Sequence, residues 1–331
     1  FKHLLLFGAG SYDNRGITSN HENMLLTYQS DRSDDEDYSY TTDDFFGILD
    51  DNSGTKIPAE MLRLGVGRFT SRSVAEAKSD VDKLANYMTN PDYGVWRNNI
   101  MLSADEGDDG LHMFQAEGTR MLLDNTLATG MPINRVFVSQ YPKAIEPSIS
   151  LISRRTAAEA RRHMSDLFKQ GQYFATYIGH AGPTTFTKTA HLWTSNEVNT
   201  TAYTHLPIMT TACCDVARFD SDSRGIADLM FHKSDGGAIA LLTSSRQVYA
   251  ESNDALNTAF IKNMFSFGTL GYMPTLGYAY MKAKQSFGTR TNINKLSFLL
   301  LGDPAMRINY PKPYFKLDAI NGVSGKDVAV Y

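Results

Sequence analysis

The sequence predicts an α/β protein of two units, each built on a mostly parallel sheet. Two observations lead to this prediction: short apolar segments alternate with segments of helical periodicity, and the alternation restarts after Tyr141-Pro142. Such alternation is typical of parallel sheets that helices cover on both faces. At 331 residues the chain is long enough for two compact units.

The first unit, predicted over residues 1–143, contains four strands and two helices. Lys2–Gly8 is apolar almost throughout and ends in glycine, as expected for a strand buried on both faces. Ser73–Met88 has apolar residues at helical spacing. The remaining predicted elements are the strands Leu62–Phe69, Asn99–Ser103 and Asn134–Ser139, and a helix over Leu111–Leu127.

The second unit, predicted over residues 144–310, repeats this design. Its predicted helices are Thr156–Lys169, Gly225–His232 and Ala255–Phe265, and its predicted strands are Tyr173–Gly179, Pro207–Cys214 and Ala238–Ser244. Helix and strand are predicted to continue to Leu299–Ile308. Residues 311–331 are predicted to be a linker, Pro311-Lys312-Pro313, and the start of a following β-domain. Because residue 1 is Phe and a predicted strand starts at the next residue, we expect the chain to be part of a longer protein.

Composition excludes some classes of function. The formal net charge is −4, so a nucleic-acid or anionic-membrane partner is not expected. No apolar run is long enough to span a bilayer. The acidic stretch Asp31–Asp37 is interpreted as a solvated loop, with a calcium site as the alternative. Zinc-type CxxC and HExxH patterns and nucleotide-binding glycine loops do not occur, so no metal site is predicted.

Two predicted strands in the second unit end at residues that can perform chemistry together. His180 follows one strand and Cys214 ends the next, 34 residues later, which is room for one crossover between parallel neighbours. Functional groups of open α/β sheets collect at the carboxyl ends of strands. A thiol and an imidazole brought together there form a nucleophile and its base. The pattern therefore indicates a thiol nucleophile with an imidazole base, the pair that covalent cysteine catalysis needs.

The two adjacent cysteines are separated by the alternation of strand side chains. Successive residues point to opposite faces, so one thiol enters the core and the next faces the cleft. Cys214, nearer the strand end and followed by Asp215, is predicted to be the nucleophile, and Cys213 to pack in the core. Backbone amides of Ala181 or Gly182, with that of Cys214, could form an oxyanion hole.

The alternative is that these residues are structural. A single histidine is more often a hydrogen-bonded residue of the fold, and a buried cysteine is usually inert. The chain has eight histidines, and His112, His191 and His205 are among the competitors of His180. Spacing alone does not decide between the two interpretations.

Two motifs resemble those of the gingipain-type cysteine peptidases. Tyr177–Pro183 (YIGHAGP) is similar to the family's histidine motif, in which glycine stands where this chain has Ala181. Thr211–Asp220 (TACCDVARFD) is similar to its cysteine motif and aligns the nucleophile with Cys214. Further segments that resemble the family, in order along the chain, are Leu4–Asn14, Gly65–Phe69, Gly236–Arg246 and Leu300–Met306.

The resemblance implies a caspase-like fold of two α/β subdomains, with the catalytic pair in the second. It also implies that an acid from the first subdomain orients the catalytic histidine. Glu106 is our first choice and Asp105 the second, both in the acidic loop Asp105–Asp109. The alternative is that these acids only solvate the loop. The chemistry requires no cofactor, and calcium remains possible.

Within the family, the motifs are most similar to those of the cell-surface sortases of the type IX secretion system. That resemblance implies cleavage of the C-terminal sorting signal of exported proteins and transfer to an amine of anionic lipopolysaccharide. It also implies further secretion-system subunits as partners and a location on the outer face of the cell. Two alternatives stay open: a secreted gingipain-type endopeptidase with basic specificity, and a non-catalytic module that binds cargo.

Overall fold

The structure is a computed structural model of the chain. It describes residues 1–17, 24–31, 39–89, 92–142, 144–146, 154–187, 191–267, 273–288 and 292–307, together with four two-residue strands between residues 315 and 328. Of the acidic stretch Asp31–Asp37, only the first residue is described, so the predicted loop lies outside the described residues. No described helix combines the length and apolar character that a membrane crossing requires.

One eight-stranded sheet forms the centre of the described protein. Each of its strands overlaps an apolar segment that the sequence predicts to be a strand. The sheet order is β1-β2-β8-β7-β6-β5-β3-β4. In chain order the strands are β1 His3–Phe7, β2 Gly65–Phe69, β3 Ile100–Ala104, β4 Ile133–Phe137, β5 Phe174–Ile178, β6 Ile208–Ala212, β7 Ala240–Ser244 and β8 Phe298–Leu301.

The strands run in two opposed groups. Neighbouring strands pair in parallel, except that β7 and β8 pair antiparallel, from Leu241 opposite Leu301 to Ser244 opposite Phe298. Strands β3 to β7 therefore share one direction, and β1, β2 and β8 share the other. The carboxyl ends of β3, β5 and β6 consequently meet at one edge of the sheet, where we expect the functional groups.

Helices cover the sheet. Every residue of β2, β3, β5, β6, β7 and β8 is buried, as expected for strands with helices on both faces. Helix α6 packs against both α2 and α7, and α5 contacts α1 and α4. In chain order the helices of the described residues are α1 Val74–Thr89, α2 Leu111–Leu123, α3 Ala158–Gln170, α4 Ser195–Thr200, α5 Ile226–His232, α6 Ala250–Met264 and α7 Leu276–Gln285.

The sheet runs through both predicted subdomains. Residues 144–310 supply the four strands in its middle, β5 to β8, and residues 1–143 supply the pair at each side. The boundary after residue 143 is therefore a division of the chain and not of the sheet. The predicted α/β fold with mostly parallel strands is confirmed, but the two predicted units share one sheet and do not each have their own. Strand β3 of the first part lies directly beside β5 of the second, so side chains from both parts can meet at the functional edge.

The last part of the chain contains short antiparallel pairs. Phe315–Lys316 pairs with Asp327–Val328, and Ala319–Ile320 pairs with Val323–Ser324. The predicted linker Pro311-Lys312-Pro313 lies outside the described residues. A following β-domain therefore stays a prediction.

Candidate active site

His180 and Cys214 lie at matching positions of two neighbouring strands. Strands β5 and β6 pair in parallel register up to Ile178 opposite Ala212. The Gly179 N–H continues the ladder by donating to the Ala212 carbonyl at 3.4 Å. His180 and Cys214 each follow two residues after the last pair. The backbone therefore places them side by side at the carboxyl edge of the sheet.

The Cys214 thiol lies against the backbone of Val248. Its Sγ donates to the Val248 carbonyl at 3.3 Å, and the Val248 N–H donates to Sγ at 3.5 Å. An N–H directed at sulfur stabilises a thiolate. Cys214 is half-buried and Cys213 is fully buried, which fits the division expected from strand alternation. Burial raises the pKa of the Cys213 thiol well above its usual value, so this thiol stays neutral. The nucleophilic role of Cys214 stays a prediction.

The turn after the cysteine pair is held by polar contacts. Asp215 adopts a left-handed conformation with φ 67°, which Asp tolerates better than most residues. Its N–H donates to Ser244 Oγ at 2.9 Å, and its carboxylate accepts two 2.5 Å hydrogen bonds from Arg218. Further along, Asp220 forms a buried bidentate pair with Arg246 at 3.0 and 2.5 Å. These contacts give the loop that carries the accessible thiol a defined position.

The backbone of His180 is held from both sides. Its N–H donates to Asp105 Oδ2 at 2.8 Å, and its carbonyl accepts from the Tyr177 hydroxyl at 2.6 Å. The Tyr177 ring stacks on Phe186 with 4.5 Å between centroids. Burial raises the pKa of Tyr177 well above its usual value, so the hydroxyl remains a donor. The fold therefore sets the position of the His180 backbone.

The ring of His180 contacts a carboxylate from the loop after β3. Its Nε2 lies 3.1 Å from Asp108 Oδ1. Asp108 and Asp109 both have φ 53° and Gly110 has φ 87°, so the loop reverses direction before α2 begins. At Gly107 an added Cβ would lie 2.7 Å from His180 Cδ2, closer than any real contact. The ring can therefore approach the loop only because residue 107 is glycine.

A second histidine completes this cluster. His112, near the start of α2, is buried, and its ring meets that of His180 edge to face at 4.9 Å. Its Nδ1 lies 2.5 Å from Asp105 Oδ1, and its Nε2 lies 3.5 Å from Asp108 Oδ2. Asp105 therefore contacts both the backbone of His180 and the ring of His112.

Only part of this cluster was predicted from the sequence. Asp105, predicted as the second choice to orient the histidine, reaches the His180 backbone, and Asp108, not predicted, reaches the His180 ring. Glu106, the first choice, lies half-buried in the same loop, and its role stays a prediction. Asp105 is also buried, so a solvated loop does not describe it. In the sequence, the only signal for Asp108 is the acidic character of its loop. His112 is singled out only as one of the histidines that compete with His180 for the catalytic role.

The two residues after His180 form the first strand of a small hairpin and pair with Thr185–Phe186. The Thr187 N–H donates to the His180 carbonyl at 2.9 Å. Because hydrogen-bonded and non-hydrogen-bonded pairs alternate, the Ala181 N–H points away from the hairpin and that of Gly182 points into it. Ala181 does not have a positive φ, so its methyl group causes no backbone strain. Of the two predicted oxyanion donors, the backbone geometry favours Ala181.

Comparison with known proteins identifies the family. A model of Peptidase family C25 matches residues 1–309. The chain belongs to this family. Family C25 contains the gingipains, so the predicted family and its caspase-like fold are confirmed, and the chain is a cysteine peptidase by family.

Two solved structures of gingipain R share the fold of this chain. The Arg-specific cysteine proteinase gingipain R (RgpB) superposes with a TM-score of 0.66 at 15% identity, over 97% of this chain and 68% of that chain. The complex of the pro- and mature domains of Porphyromonas gingivalis RgpB gives 0.62 at 14% identity, over 97% and 69%. Dimeric latent PorU from the same organism gives 0.45 at 20% identity, over 97% and 25%, which is too low to establish a shared fold. No curated protein sequence matches the chain.

Substituting Gly107 tests whether the position of the His180 ring matters. In Gly107→Ala the new methyl group must displace the ring, and we expect kcat/KM for a peptide substrate to fall about 100-fold. Gly118→Ala in α2 is the matched control, because nothing lies within 4 Å of its added Cβ. Circular dichroism should show both variants folded. Equal activity of the two variants would mean that the ring position is unimportant.

Proposed function

We propose that this protein cleaves peptide bonds through an acyl-enzyme on Cys214, with His180 acting first as base and then as acid. The observation that carries the proposal is the register of β5 and β6, which brings the two residues together at one edge of the sheet. With the Nε2–H of His180 donated to Asp108, its Nδ1 carries the lone pair that can take the thiol proton.

The reaction then follows the chemistry of a thiol nucleophile. The thiolate attacks the scissile carbonyl, and the imidazolium of His180, stabilised by the Asp108 carboxylate, protonates the leaving amine. We assign the stabilisation of the developing oxyanion to the amides of Cys214 and Ala181. The product of this half-reaction is a thioester between Cys214 and the amino-terminal part of the substrate.

The fate of the thioester distinguishes a hydrolase from a transpeptidase. We propose transfer to an amine, because the motifs around His180 and Cys214 are most similar to those of the type IX sortases. The substrate is then an exported protein that loses its C-terminal sorting signal, and the acceptor is an amine of anionic lipopolysaccharide. This places the protein at the outer face of the cell, with other secretion subunits as partners.

Mass spectrometry of the intact protein tests the proposal. Incubation with a peptide that spans a sorting-signal junction should add the mass of the acyl group, and peptide mapping should place it on Cys214. Addition of glycinamide, a small soluble amine, should remove the adduct and release an amide product. If the only product in the presence of the amine is the carboxylic acid from hydrolysis of the thioester, the protein is a hydrolase. Absence of any adduct on Cys214 would contradict the proposal.

Substrate preference separates the sortase from a gingipain-type endopeptidase. A panel of peptides with Arg, Lys or a small residue before the scissile bond is compared at equal concentration. We expect the peptides with small residues to be cleaved fastest. Cleavage confined to Arg or Lys, with no amine transfer, would favour a secreted endopeptidase.

A further inference from the structure

We propose that Asp108, His112 and His180 form a binding site for a divalent transition metal, with Zn²⁺ as the best fit, and that metal bound there inactivates the peptidase. One possible ligand atom from each residue lies within 4.8 Å of the other two. The three residues come from two distant parts of the chain, the loop and helix after β3 and the end of β5, so the fold and not a local motif assembles them.

The distances between these atoms suit tetrahedral coordination. With metal–nitrogen bonds of about 2.0–2.1 Å, neighbouring ligand atoms of a tetrahedral zinc site lie about 3.4 Å apart. His180 Nε2 is 3.1 Å from Asp108 Oδ1, and His112 Nε2 is 3.5 Å from Asp108 Oδ2. Each imidazole nitrogen therefore lies at about this spacing from one oxygen of the Asp108 carboxylate, and the two distances end at different oxygens. With one ligand atom taken from each residue, all three atoms lie within 4.8 Å of one another, so small side-chain rotations would bring them to coordination distances.

The surroundings of His112 match those of a metal ligand. A histidine that binds a metal through one ring nitrogen usually donates a hydrogen bond from the other ring nitrogen to a carboxylate, which orients the ring. His112 does so through Nδ1, 2.5 Å from the buried Asp105, and this leaves Nε2 directed at Asp108. The other oxygen of Asp105 holds the His180 backbone at 2.8 Å. One buried carboxylate thus positions both imidazoles of the site.

The ligand set and its exposure indicate which metal binds. Two imidazoles and one carboxylate suit zinc and similar transition metals, whereas calcium prefers six to eight oxygen ligands. The His180 and Asp108 side chains are 48% and 46% exposed, so a metal ion can enter from solvent and a water molecule can complete the coordination.

A metal ion bound at this site prevents His180 from acting as the base. A neutral imidazole that binds metal through Nε2 carries its proton on Nδ1, so the lone pair needed to take the thiol proton is lost. The loss of activity rests on the proposed role of His180, whereas the binding itself does not. The site therefore acts as a switch that is off when zinc is present and on when it is removed.

Isothermal titration with zinc chloride tests binding without depending on activity. The Cys214→Ala variant is used so that its thiol cannot serve as a ligand, and we expect one saturable site per chain. His112→Gln should weaken binding at least about tenfold. Because His112 is buried, the exposed Asp108→Asn is a second variant with the same expectation. Asp109→Asn is the matched control, because this neighbouring acid lies outside the cluster, and its affinity should be unchanged.

The same titration contains the outcomes that would overturn the proposal. These are no saturable binding in Cys214→Ala, equal affinity of the His112→Gln, Asp108→Asn and Asp109→Asn variants, or displacement of zinc by an equal concentration of calcium chloride. A tetrahedral visible spectrum with Co²⁺, lost in folded Asp108→Asn, would support the site independently.

A parallel assay tests inhibition. Zinc chloride should block acylation of Cys214 in the unmodified chain, and EDTA should restore it. In His112→Gln the zinc concentration for half-inhibition should rise at least about tenfold. Unchanged inhibition would show that zinc acts on the thiol and would overturn the switch. Saturable zinc binding in a chain that never acylates would contradict the proposed function and leave the metal site standing.

Discussion

Cys214→Ala is expected to lower peptide cleavage by at least about a thousandfold, whereas Cys213→Ala is expected to retain most of it. The reason is geometric. The accessible thiol lies at the end of β6 beside His180, and the other thiol is fully buried with a raised pKa. Cys213→Ala removes only a small buried group, so its main effect should be on stability, about 1 kcal/mol.

Three measurements complete this test. Cleavage of a peptide substrate gives the change in rate, labelling by a thiol-reactive peptide probe identifies the nucleophile, and thermal unfolding shows that each variant is folded. The probe should label the unmodified chain and Cys213→Ala, but not Cys214→Ala. An active Cys214→Ala together with an inactive Cys213→Ala would reverse the assignment.

The sequence predicted the strands, and the position of His180 and Cys214 at the ends of two of them, because both depend on local information. Apolar segments of strand length mark β1 to β8 whatever their order in the sheet, and chemistry at strand ends follows from the chain direction. Side-chain alternation distinguished Cys213 from Cys214 within two residues. None of these inferences requires knowledge of which distant segments are neighbours.

Predicting the order of the strands and the cluster around His180 would have required knowledge of which distant segments of the chain are neighbours. The two predicted subdomains join in one sheet because β8 pairs with β2 at Leu301 opposite Arg68, a contact between distant segments of similar apolar character. Asp108 reaches the His180 ring because two successive residues of its loop have positive φ. The acidic residues of this loop do not encode that conformation, so the sequence could not choose Asp108 over its neighbours.

Buried charges were the second feature that the sequence did not predict. Acidic residues in a polar stretch are usually solvated, but Asp43 and Asp44 are both buried in the protein. Their cationic partners, Arg68 and Lys284, lie 25 and 240 residues further along the chain. A pair of that separation is recognised only after the sheet and helix α7 have been placed.

The pair of Arg68 and Asp43 leads to the prediction with the largest effect on stability. Arg68 is fully buried, donates to both Asp43 oxygens at 2.8 and 2.7 Å and to the Gly8 carbonyl at 2.6 Å, and lies over the Phe219 ring at 4.9 Å. Asp43→Asn leaves the guanidinium without a countercharge in the core. We expect the free energy of unfolding to fall by about 3 kcal/mol or more.

Chemical denaturation of matched variants measures this effect. Asp50→Asn is the control, because Asp50 also pairs with an arginine, Arg63, at 2.6 Å, but the two side chains are 53% and 45% exposed. Because solvent screens an exposed pair, its loss should change the free energy of unfolding far less than the loss of the buried pair. If burial is the cause, adding Arg68→Met to Asp43→Asn should recover part of the lost stability, because the unpaired charge is then removed. Two outcomes would mean that the contacts and not the buried charge account for the effect. One is an equal loss of unfolding free energy in Asp43→Asn and Asp50→Asn. The other is a double variant that is less stable than both Asp43→Asn and Arg68→Met.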